Sequence, residues 1–439
     1  MSTFAALRVR NYRLFATGSL VSNVGTWMQR VAQDWLVLTL TGSAGALGVT
    51  TGLQFLPIVL FSPFAGVIAD RYPKRRVLAV TQTAMGVTAG SLGLLAVTGL
   101  VEPWHVYVIA FVFGVGTAVD APARQAFVNE MVDRDLLPNA VGLNSAGFNL
   151  ARMIGPAVAG GLIAWLGEGV SATGWVILVN ATTYLAVIVS LTRMRASELT
   201  PSARLARAPG QLRDGLRYVR SRPDIMLVMA VVFCVGTFGL NFQMTTALMA
   251  TEVYGKGAGE YGLLGSILAI GSLGGSLLAA RRAHPRRRLV VLAAIAFGAI
   301  EMIAGLMPSY VAFAVILPLC GLAALTVVTA ANAYVQISSA PEMRGRVMAL
   351  YMAIFMGGTP IGAPLLGWIA EHFGARWTLV GGGALTALGT IAATAVFARQ
   401  PVLELLAPAH REQLSGELDK AAVRFVRGHG RPAAGVPRR

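Results

Sequence analysis

The chain has 439 residues, of which 55% are hydrophobic and 13% charged, with a mean hydropathy of +0.64 and a formal net charge of +16. One soluble core cannot hide that much apolar surface, so the composition excludes an ordinary soluble domain and predicts a chain that lives in lipid. The positive charge lies in short segments between apolar runs, which favours a membrane-topology signal over nucleic-acid binding.

Twelve apolar runs of spanning length follow one another along the chain. Their limits are 14–40, 46–69, 77–100, 104–119, 138–165, 172–192, 224–250, 261–280, 289–307, 309–332, 347–370 and 377–398. The first run is too long for a signal peptide and no Ala-x-Ala cleavage site follows it, so we expect it to be retained. These runs predict an all-α integral membrane protein with twelve transmembrane helices.

The Lys and Arg residues indicate how the chain is oriented. An even number of spans puts both termini on one side, and nearly all of the 36 Lys and Arg residues fall on that side. The exceptions are Lys256 and Arg376 in loops on the other side, and Arg30 and Arg152 within spans. Because positively charged loops stay in the cytoplasm, we expect both termini to be cytoplasmic.

The first span carries the ionisable residues that best indicate a transport route. Arg30 and Asp34 are four residues apart and share a helix face, which Asn23 extends. A charge at mid-membrane costs roughly 2.5 to 3.5 kcal/mol, and an ion pair at an effective dielectric constant of about 20 returns on the order of 4 kcal/mol. Since two charges cost more than their pair returns, water or another helix must help. Asn149 and Arg152 of the fifth span form a comparable stripe, which makes Arg152 a second candidate partner for Asp34.

Asp34 is the candidate proton carrier. A carboxylate that exchanges an arginine for a proton as a cavity opens couples proton entry to substrate exit. The spans of the N-terminal half carry two cations, Arg30 and Arg152, and one acid, Asp34. This excess of one positive charge points to an anionic or catecholate-like substrate. Glu301 in the ninth span is the second candidate carrier, although an acid on that span is expected to reach the outer interface.

The seventh span supplies candidate substrate-facing residues in the second half. They are Thr237, Asn241, Met244 and Thr245, for which packing is the alternative interpretation. Other kinds of chemistry find little support. No Gly-x-x-x-x-Gly-Lys-Ser/Thr loop occurs, the five histidines lack metal-ligand spacing, and both cysteines fall in apolar spans. We therefore expect no enzyme, no metal and no cofactor.

Two segments that recur about half a chain apart indicate a duplication. The basic segment Tyr72–Arg76 returns as His284–Arg288, and Gly161–Ala164 returns as Gly367–Ala370. We expect two pseudo-symmetric six-helix bundles. The predicted limits are 1–192 for the first bundle, 193–222 for a cytoplasmic linker, 223–400 for the second bundle and 401–439 for a flexible cytoplasmic tail. Apolar residues at helical spacing predict an amphipathic helix in the linker, with a basic loop as the alternative.

The segment between the second and third spans resembles the loop signature of the major facilitator superfamily. The matching stretch is Gly66-Val67-Ile68-Ala69-Asp70-Arg71-Tyr72-Pro73-Lys74-Arg75-Arg76. The resemblance implies a cytoplasmic gate in which Asp70 caps helix eleven and Arg71 reaches an acid at the end of helix four, here Asp120. The candidate gate residues are Gly66, Asp70, Arg71, Lys74, Arg75, Asp120 and Arg124. Pro73 and Arg282 stand where Gly and an acid are expected, so the gate should be stronger on the Asp70 side.

Further motifs narrow the resemblance to exporters. Helix five holds a set that is similar to the exporter motif of this superfamily: Gly147, Gly155, Pro156, Gly160 and Gly161. Three stretches resemble the transmembrane secretion effector branch: Asp120–Phe127, Asn139–Asn144 and Arg344–Val347. That branch includes enterobactin exporters and macrolide or multidrug efflux proteins. The resemblance implies export of small amphipathic compounds, drug-like or siderophore-like.

The function expected from the sequence is thus proton antiport by alternating access in the cytoplasmic (inner) membrane of a bacterium. The expected partners are a small-molecule substrate, protons and the lipid bilayer, without nucleic acid, and the protein is expected to be a monomer. Two alternatives stay open. The same fold could import a solute or flip a lysophospholipid, or the protein could be a nontransporting membrane sensor or scaffold.

Overall fold

The structure is a computed structural model that describes residues 4–200, 211–280 and 286–398, without the side chains at 62, 63, 66, 69, 70, 211, 212, 279, 280 and 398. Within these ranges every regular element is a helix. The described residues up to Ala393 form one compact unit, and the end of the last helix, from Thr394, lies beyond it. The predicted tail, together with Arg282, His284 and Pro285 of the second basic segment, lies outside the described residues.

Six long helices build the N-terminal half, after a single 3₁₀ turn at Ala5–Arg8. They are α1 Arg10–Thr41, α2 Ala44–Arg71, α3 Lys74–Val97, α4 Pro103–Met131, α5 Leu137–Leu166 and α6 Val170–Arg193. The predicted end of the fourth span at 119 is wrong, because α4 accommodates Pro122 and continues to Met131. Asp120 pairs with Arg124 one turn later, at 3.1 Å, so these polar residues support the helix and do not end it.

The C-terminal half contains two interrupted elements. The helices are α7 Gln211–Arg220, α8 Pro223–Cys234, α9 Phe242–Leu248, α10 Ala258–Ala280, α11 Arg287–Gly305, α12 Tyr310–Ser338, α13 Arg344–Gly357, α14 Thr359–Phe373 and α15 Arg376–Ala398. α8 continues as a π-helical turn, Val235–Gly239, and then breaks at Leu240 and Asn241 before α9 begins. α13 and α14 meet at Gly358. Neither interruption was expected from the apolar runs. α7 occupies the linker and packs against α13, with Val219 buried.

Eleven segments of the described chain are helical, long and apolar enough to cross a membrane. The two interrupted elements each count once, as Pro223–Val253 and Arg344–Phe373. α1 is 32 residues long but is not among the eleven, because it carries a row of amide and charged side chains. Gln29, Gln33 and Asp34 are nevertheless buried, since α5 and α6 pack along α1 and shield them. α1 is thus the twelfth membrane helix, and its polar face is turned inward.

The packing repeats itself between the halves. α2 packs on α4 as α10 packs on α12, and α3 packs on α4 as α11 packs on α12. The contacts between the halves follow the same rule, because α5 packs on α10 as α14 packs on α2. Tight approaches at equivalent places carry this packing: a Cβ on Gly114 would lie 2.9 Å from Pro57, and one on Gly321 2.8 Å from the amide of Ser272. The fold is the predicted pair of pseudo-symmetric bundles.

We call the side at which α1 begins the Arg10 face and the side at which it ends the Thr41 face. The Tyr12 hydroxyl donates to the carbonyl of Ala140 at 2.7 Å, so α5 also begins at the Arg10 face. The Trp35 indole donates to the carbonyl of Glu168 at 3.0 Å, so α5 ends at the Thr41 face. Helices joined by short turns therefore alternate between the two faces.

Candidate functional site

Asp34 connects the two halves of the molecule. It lies on α1, is 3% exposed, and its Oδ2 accepts hydrogen bonds from Gln243 Nε2 at 2.7 Å and from the Tyr261 hydroxyl at 2.9 Å. Tyr261 also approaches the carbonyl of Gln243, at 3.2 Å. Gln243 stands in the first turn of α9, just after the break, and Tyr261 in the first turn of α10. The acid of one bundle is thereby held by two neutral donors of the other.

The arginines predicted as partners of Asp34 form no ion pair with it in the described structure, although Arg30 is close enough to interact with it electrostatically. No described carboxylate oxygen comes within 4.0 Å of a nitrogen of Arg30 or Arg152. The Arg30 guanidinium lies 4.7 Å from the ring of Trp27 and 5.6 Å from that of Phe55, and its Nε is buried without a hydrogen-bond partner. Arg152 lies 5.6 Å from Trp27 on the same ring. Two cations therefore share one indole, at a distance typical of cation–π contacts.

Aromatic and polar groups complete this region, which we call the arginine–aromatic cluster: Trp27, Arg30, Phe55, Phe148 and Arg152. Phe148 meets Trp27 edge-on, with ring centroids 5.9 Å apart. Gly155 permits the close approach of α5 to α1 at Trp27, since a Cβ on Gly155 would come 2.5 Å from the Cβ of Trp27. Asn149 and Asn23 lie nearby on the helices predicted and are half-buried; Asn149 donates to its own helix, at the carbonyl of Ser145, 2.9 Å away.

The predicted gate residues at the Arg10 face form networks inside the N-terminal half. Asp120 accepts from Thr81 and Gln82, each at 2.8 Å, and pairs with Arg124. Arg124 also donates to Ser19 at 2.8 Å, so α1, α3 and α4 are tied together. The expected contact of Arg71 with Asp120 is not formed here, because those three donors occupy the carboxylate while Arg71 is exposed.

The basic signature between α2 and α3 divides into different roles. Lys74 forms a buried ion pair with Glu130 at 3.0 Å, so it is more than a topology charge. Arg75 donates to the carbonyl of Thr192 at 3.3 Å. Gly66 lies within α2, and the side chain of Asp70 lies outside what the structure describes, so the predicted cap on helix eleven stays a prediction.

Glycines bring the two halves into backbone contact toward the Thr41 face. Gly160 of the exporter motif lies against Gly262, whose Cα would be 3.0 Å from a Cβ on Gly160. Gly367 of α14 lies against Gly48 of α2, at 3.2 Å by the same measure. Pro156 packs on Gly265, at 3.1 Å. By contrast, a Cβ on Gly161 would meet nothing within 4 Å, and one on Gly147 only Leu20, at 3.9 Å. Within the exporter motif, Pro156 and Gly160 therefore contact the other bundle, whereas Gly147 and Gly161 do not.

Two acids close the same face, and sequence reasoning missed both. Glu168 accepts a hydrogen bond from the amide of Ala258 at 3.1 Å, at the start of α10. Glu371 accepts from the amide of Gly45 at 3.0 Å and from the Ser43 hydroxyl, at the start of α2. We call Glu168 and Glu371 the acid caps. Each carboxylate sits at the positive end of a helix in the opposite half. The sequence does contain a signal for these caps, because an acid follows both copies of the recurring Gly-x-Ile-Ala segment.

The local backbone supports these caps. Glu168 has a φ of 57°, in the left-handed region that non-glycine residues rarely adopt. Gly257 and Gly45 leave room for the carboxylates: a Cβ on Gly257 would lie 2.8 Å from Cδ of Glu168, and one on Gly45 2.7 Å from Oε1 of Glu371. A residue held in a sparsely populated conformation is held there by its contacts, here to the other bundle.

The candidate substrate-facing residues of the seventh element are buried. Thr237, Asn241, Met244 and Thr245 are each at most 3% exposed, and Asn241 donates to the carbonyl of Thr237 at 2.8 Å. The residue of this element that reaches the other half is their neighbour Gln243. Glu301 is 1% exposed, so the expectation that it reaches the outer interface is wrong.

Two pseudo-symmetric six-helix bundles that meet around a buried acid define a secondary transporter of the major facilitator type, and not an enzyme. Solved structures share this fold. A bacterial homologue of the human lysosomal transporter Spinster matches with a TM-score of 0.70 at 16% identity, covering 90% of this chain and 98% of that one. The nucleoside transporter NupG matches with a TM-score of 0.67 at 12% identity, covering 89% and 100%.

The chain belongs to the transmembrane secretion effector family, whose model matches residues 1–429. Among curated relatives, the Staphyloferrin A transporter of Staphylococcus aureus is 26% identical and is covered to 95%, over 88% of this chain. The multidrug efflux pump Tap of Mycolicibacterium fortuitum is 27% identical and covered to 90%, over 84% of this chain. Macrolide efflux protein A of Streptococcus pyogenes is 23% identical and covered to 95%, over 87% of this chain. Two of these relatives are named as efflux proteins and the third as a transporter, in agreement with the export that the motifs implied.

Proposed function

We propose that this protein exports small amphipathic compounds from the bacterial cytoplasm by proton antiport, with Asp34 as the proton carrier. The observation that carries the proposal is the bond between a buried acid of one bundle and two neutral donors, Gln243 and Tyr261, of the other. A hydrogen bond to a charged group contributes about 1.5 to 3 kcal/mol, so ionised Asp34 holds the Thr41 face shut more firmly than protonated Asp34 does.

The difference in bond strength between ionised and protonated Asp34 keeps the empty carrier from changing its conformation, as antiport requires. With Asp34 ionised and no substrate bound, the two bonds keep the bundles locked and the empty carrier does not cross. A proton on Asp34 weakens the acceptor, and a bound substrate offsets the lost bonds with its own contacts. Either one releases the lock, so each crossing carries a proton or a substrate. The bundles then rock about the midplane between a cytoplasm-open and an outward-open state.

The direction of export follows from the side assigned to each face. The positive-inside bias favours a cytoplasmic Arg10 face, with both termini on that side. In that orientation the Thr41 face is the outer one, and the structure has its outer face shut by the glycine contacts and the acid caps. Substrate then enters from the cytoplasm along α5 and α10, where Phe148 and Leu277 are exposed.

The arginine–aromatic cluster favours a substrate that combines an anionic group with a flat apolar part. Arg30 and Arg152 have no described carboxylate within ion-pair distance, so an anion over the Trp27 ring could form an ion pair with either of them. The Staphyloferrin A transporter and macrolide efflux protein A are among the relatives. We propose the anionic class, and a preference for lipophilic cations in a transport panel would contradict it.

The test compares Asp34→Asn with Asp133→Asn, which alters an exposed acid, in everted membrane vesicles. Staphyloferrin A and a macrolide serve as probes, and proton release is followed by a pH-sensitive dye. We expect Asp34→Asn to abolish substrate-driven proton flux while the protein still folds, and Asp133→Asn to behave as the parent does. Coupled flux in Asp34→Asn would remove Asp34 from the role. Substrate movement in the direction of import, from the vesicle lumen to the medium, would favour the importer or flippase alternative. No transport of any probe would favour the sensor or scaffold.

A further inference from the structure

The strongest unassigned feature is a second buried acid in the C-terminal half. Glu301 of α11 is 1% exposed and lies between the π-helical turn of α8 and the helix α15. Glycines make room for it on both sides: a Cβ on Gly239 would be 3.1 Å from its Oε2, and one on Gly382 would be 3.7 Å from its Oε1. The Phe297 ring covers the same turn, close to Gly239.

The carboxyl of Glu301 has no neutralising neighbour. Its Oε2 is buried and takes no hydrogen bond, and no described Lys or Arg nitrogen lies within 4.0 Å. The elements around it carry these other titratable groups: Asp224 and Cys234 on α8, Arg287 and Arg288 on α11, Tyr310, Cys320 and Tyr334 on α12, and Arg376 on α15. Of these, Cys320 is close enough to interact with it electrostatically. Arg376 donates instead to the carbonyls of Gly305 and Met307, at 2.9 and 2.8 Å.

An ionised carboxylate in such a place is costly, since burial of an uncompensated charge costs several kcal/mol even after relaxation. Binding a proton removes that cost without any other partner. We propose that Glu301 is a second proton-binding site, protonated in the conformation described here, which releases its proton to water when the interrupted helix α8–α9 rearranges. The step is a simple dissociation in which water takes up the proton.

One structural element connects the two acids. Gly239, which faces Glu301, and Gln243, which bonds Asp34, are four residues apart on either side of the break at Leu240 and Asn241. A movement that separates Gln243 from Asp34 therefore also moves the turn that covers Glu301. Thr237 Oγ1 and Asn241 Oδ1, beside the break, are likewise buried without partners, as expected of a segment that makes other contacts in another state. The coupling, though not the protonation, rests on the proposed function.

Infrared difference spectroscopy on the full chain in lipid nanodiscs tests the protonation without any substrate. We expect a protonated-carboxyl band at neutral pH in the parent and in Asp34→Asn, and its loss in Glu301→Gln. Glu301→Gln keeps the shape of the side chain, and monodisperse elution with an unchanged melting temperature will show that it folds. A parent spectrum without such a band, or a band that appears only when Na⁺ and K⁺ are removed, would overturn the proposal.

Hydrogen–deuterium exchange of the same band tests the coupling. Gln243→Ala removes one donor from Asp34, and Gln336→Ala removes the exposed hydrogen bond from Gln336 to Asn332 near the end of α12. We expect Gln243→Ala to speed exchange at Glu301 by about tenfold, which corresponds to roughly 1.4 kcal/mol, and Gln336→Ala to leave the rate unchanged. Equal rates in both variants would refute the link. If Glu301 fails these tests while Asp34→Asn still abolishes coupled flux, the antiport proposal stands alone.

Discussion

The two faces of the molecule use polar groups in opposite ways. At the Arg10 face the charged residues Lys74, Asp120 and Arg124 find their partners within the N-terminal half. At the Thr41 face the acid caps, and beneath them Asp34, find their partners in the other half. The first arrangement stabilises a bundle, and the second holds two bundles together. Substitutions at the two faces should therefore separate folding from gating.

The largest effect is expected at Lys74. Lys74→Met removes the cation that lies 3.0 Å from the buried Glu130 carboxylate, and breaking a buried ion pair typically costs about 3 to 5 kcal/mol in unfolding free energy. Arg75→Met is the matched control, because Arg75 belongs to the same basic signature but makes one exposed hydrogen bond to a carbonyl. Thermal unfolding of the detergent-solubilised protein should show a marked fall for Lys74→Met and a small one for Arg75→Met. Equal melting temperatures would mean that the Lys74 pair contributes nothing to the bundle.

Lys74 also shows which features of the structure could be predicted from the sequence. The basic signature, the twelve helices and the duplication follow from composition and spacing alone, because lipid imposes length and apolarity on every span. Which of four neighbouring cations is buried does not follow, since it depends on Glu130, a residue far along the chain at the end of α4. The same holds for Asp34. Its burial was predictable, but its partners Gln243 and Tyr261 are set by how α9 and α10 pack on α1.

The interruption of the eleventh element could have been predicted, since Gly357, Gly358 and Pro360 stand at it, whereas the interruption of the seventh element was beyond reach. No proline stands at the break near Asn241, and the glycines and polar residues from Gly236 to Thr246 do not by themselves show where the helix is interrupted. The break becomes visible only once Gly236 and Gly239 are seen packed against Phe355 and Phe297, where close helix contacts fix the backbone. Local sequence predicts that a helix exists, while the neighbouring helices determine where its hydrogen bonding is interrupted.

The next largest effect is expected at the glycine contacts of the Thr41 face. Gly160→Ala places a methyl group against the carbonyl of Ala258 and the Cα of Gly262, so α5 and α10 must separate. Overpacking of this kind costs about 1 to 3 kcal/mol, here against the closed state. Gly161→Ala is the control, since its methyl group meets nothing within 4 Å and both variants gain the same helix propensity.

Spin labels at Trp165 and Phe373, both exposed at the Thr41 face, report the opening in a background without the two cysteines. We expect Gly160→Ala to shift the distance distribution toward longer values and to slow efflux, while its melting temperature stays near that of the parent. Gly161→Ala should match the parent in its distance distribution, its efflux rate and its melting temperature. A parent-like distribution in Gly160→Ala would show that this contact does not hold the face closed.

The smallest effect is expected from the acid caps, and the duplication makes it the sharpest comparison. A charged cap on a helix N-terminus contributes about 0.5 to 2 kcal/mol, and Glu→Gln keeps the shape while it removes the charge. Glu168→Gln and Glu371→Gln should each lengthen the distance between the two labels slightly. The helices that they cap, α10 and α2, are related by the duplication, so we expect shifts of the same sign. Because each cap holds a different pair of helices against the same closure, the double variant should shift the closed population by the sum of the two free energies. A double variant no more open than either single one would mean that one cap alone carries the closure, and that the Thr41 face lacks the twofold symmetry of the fold.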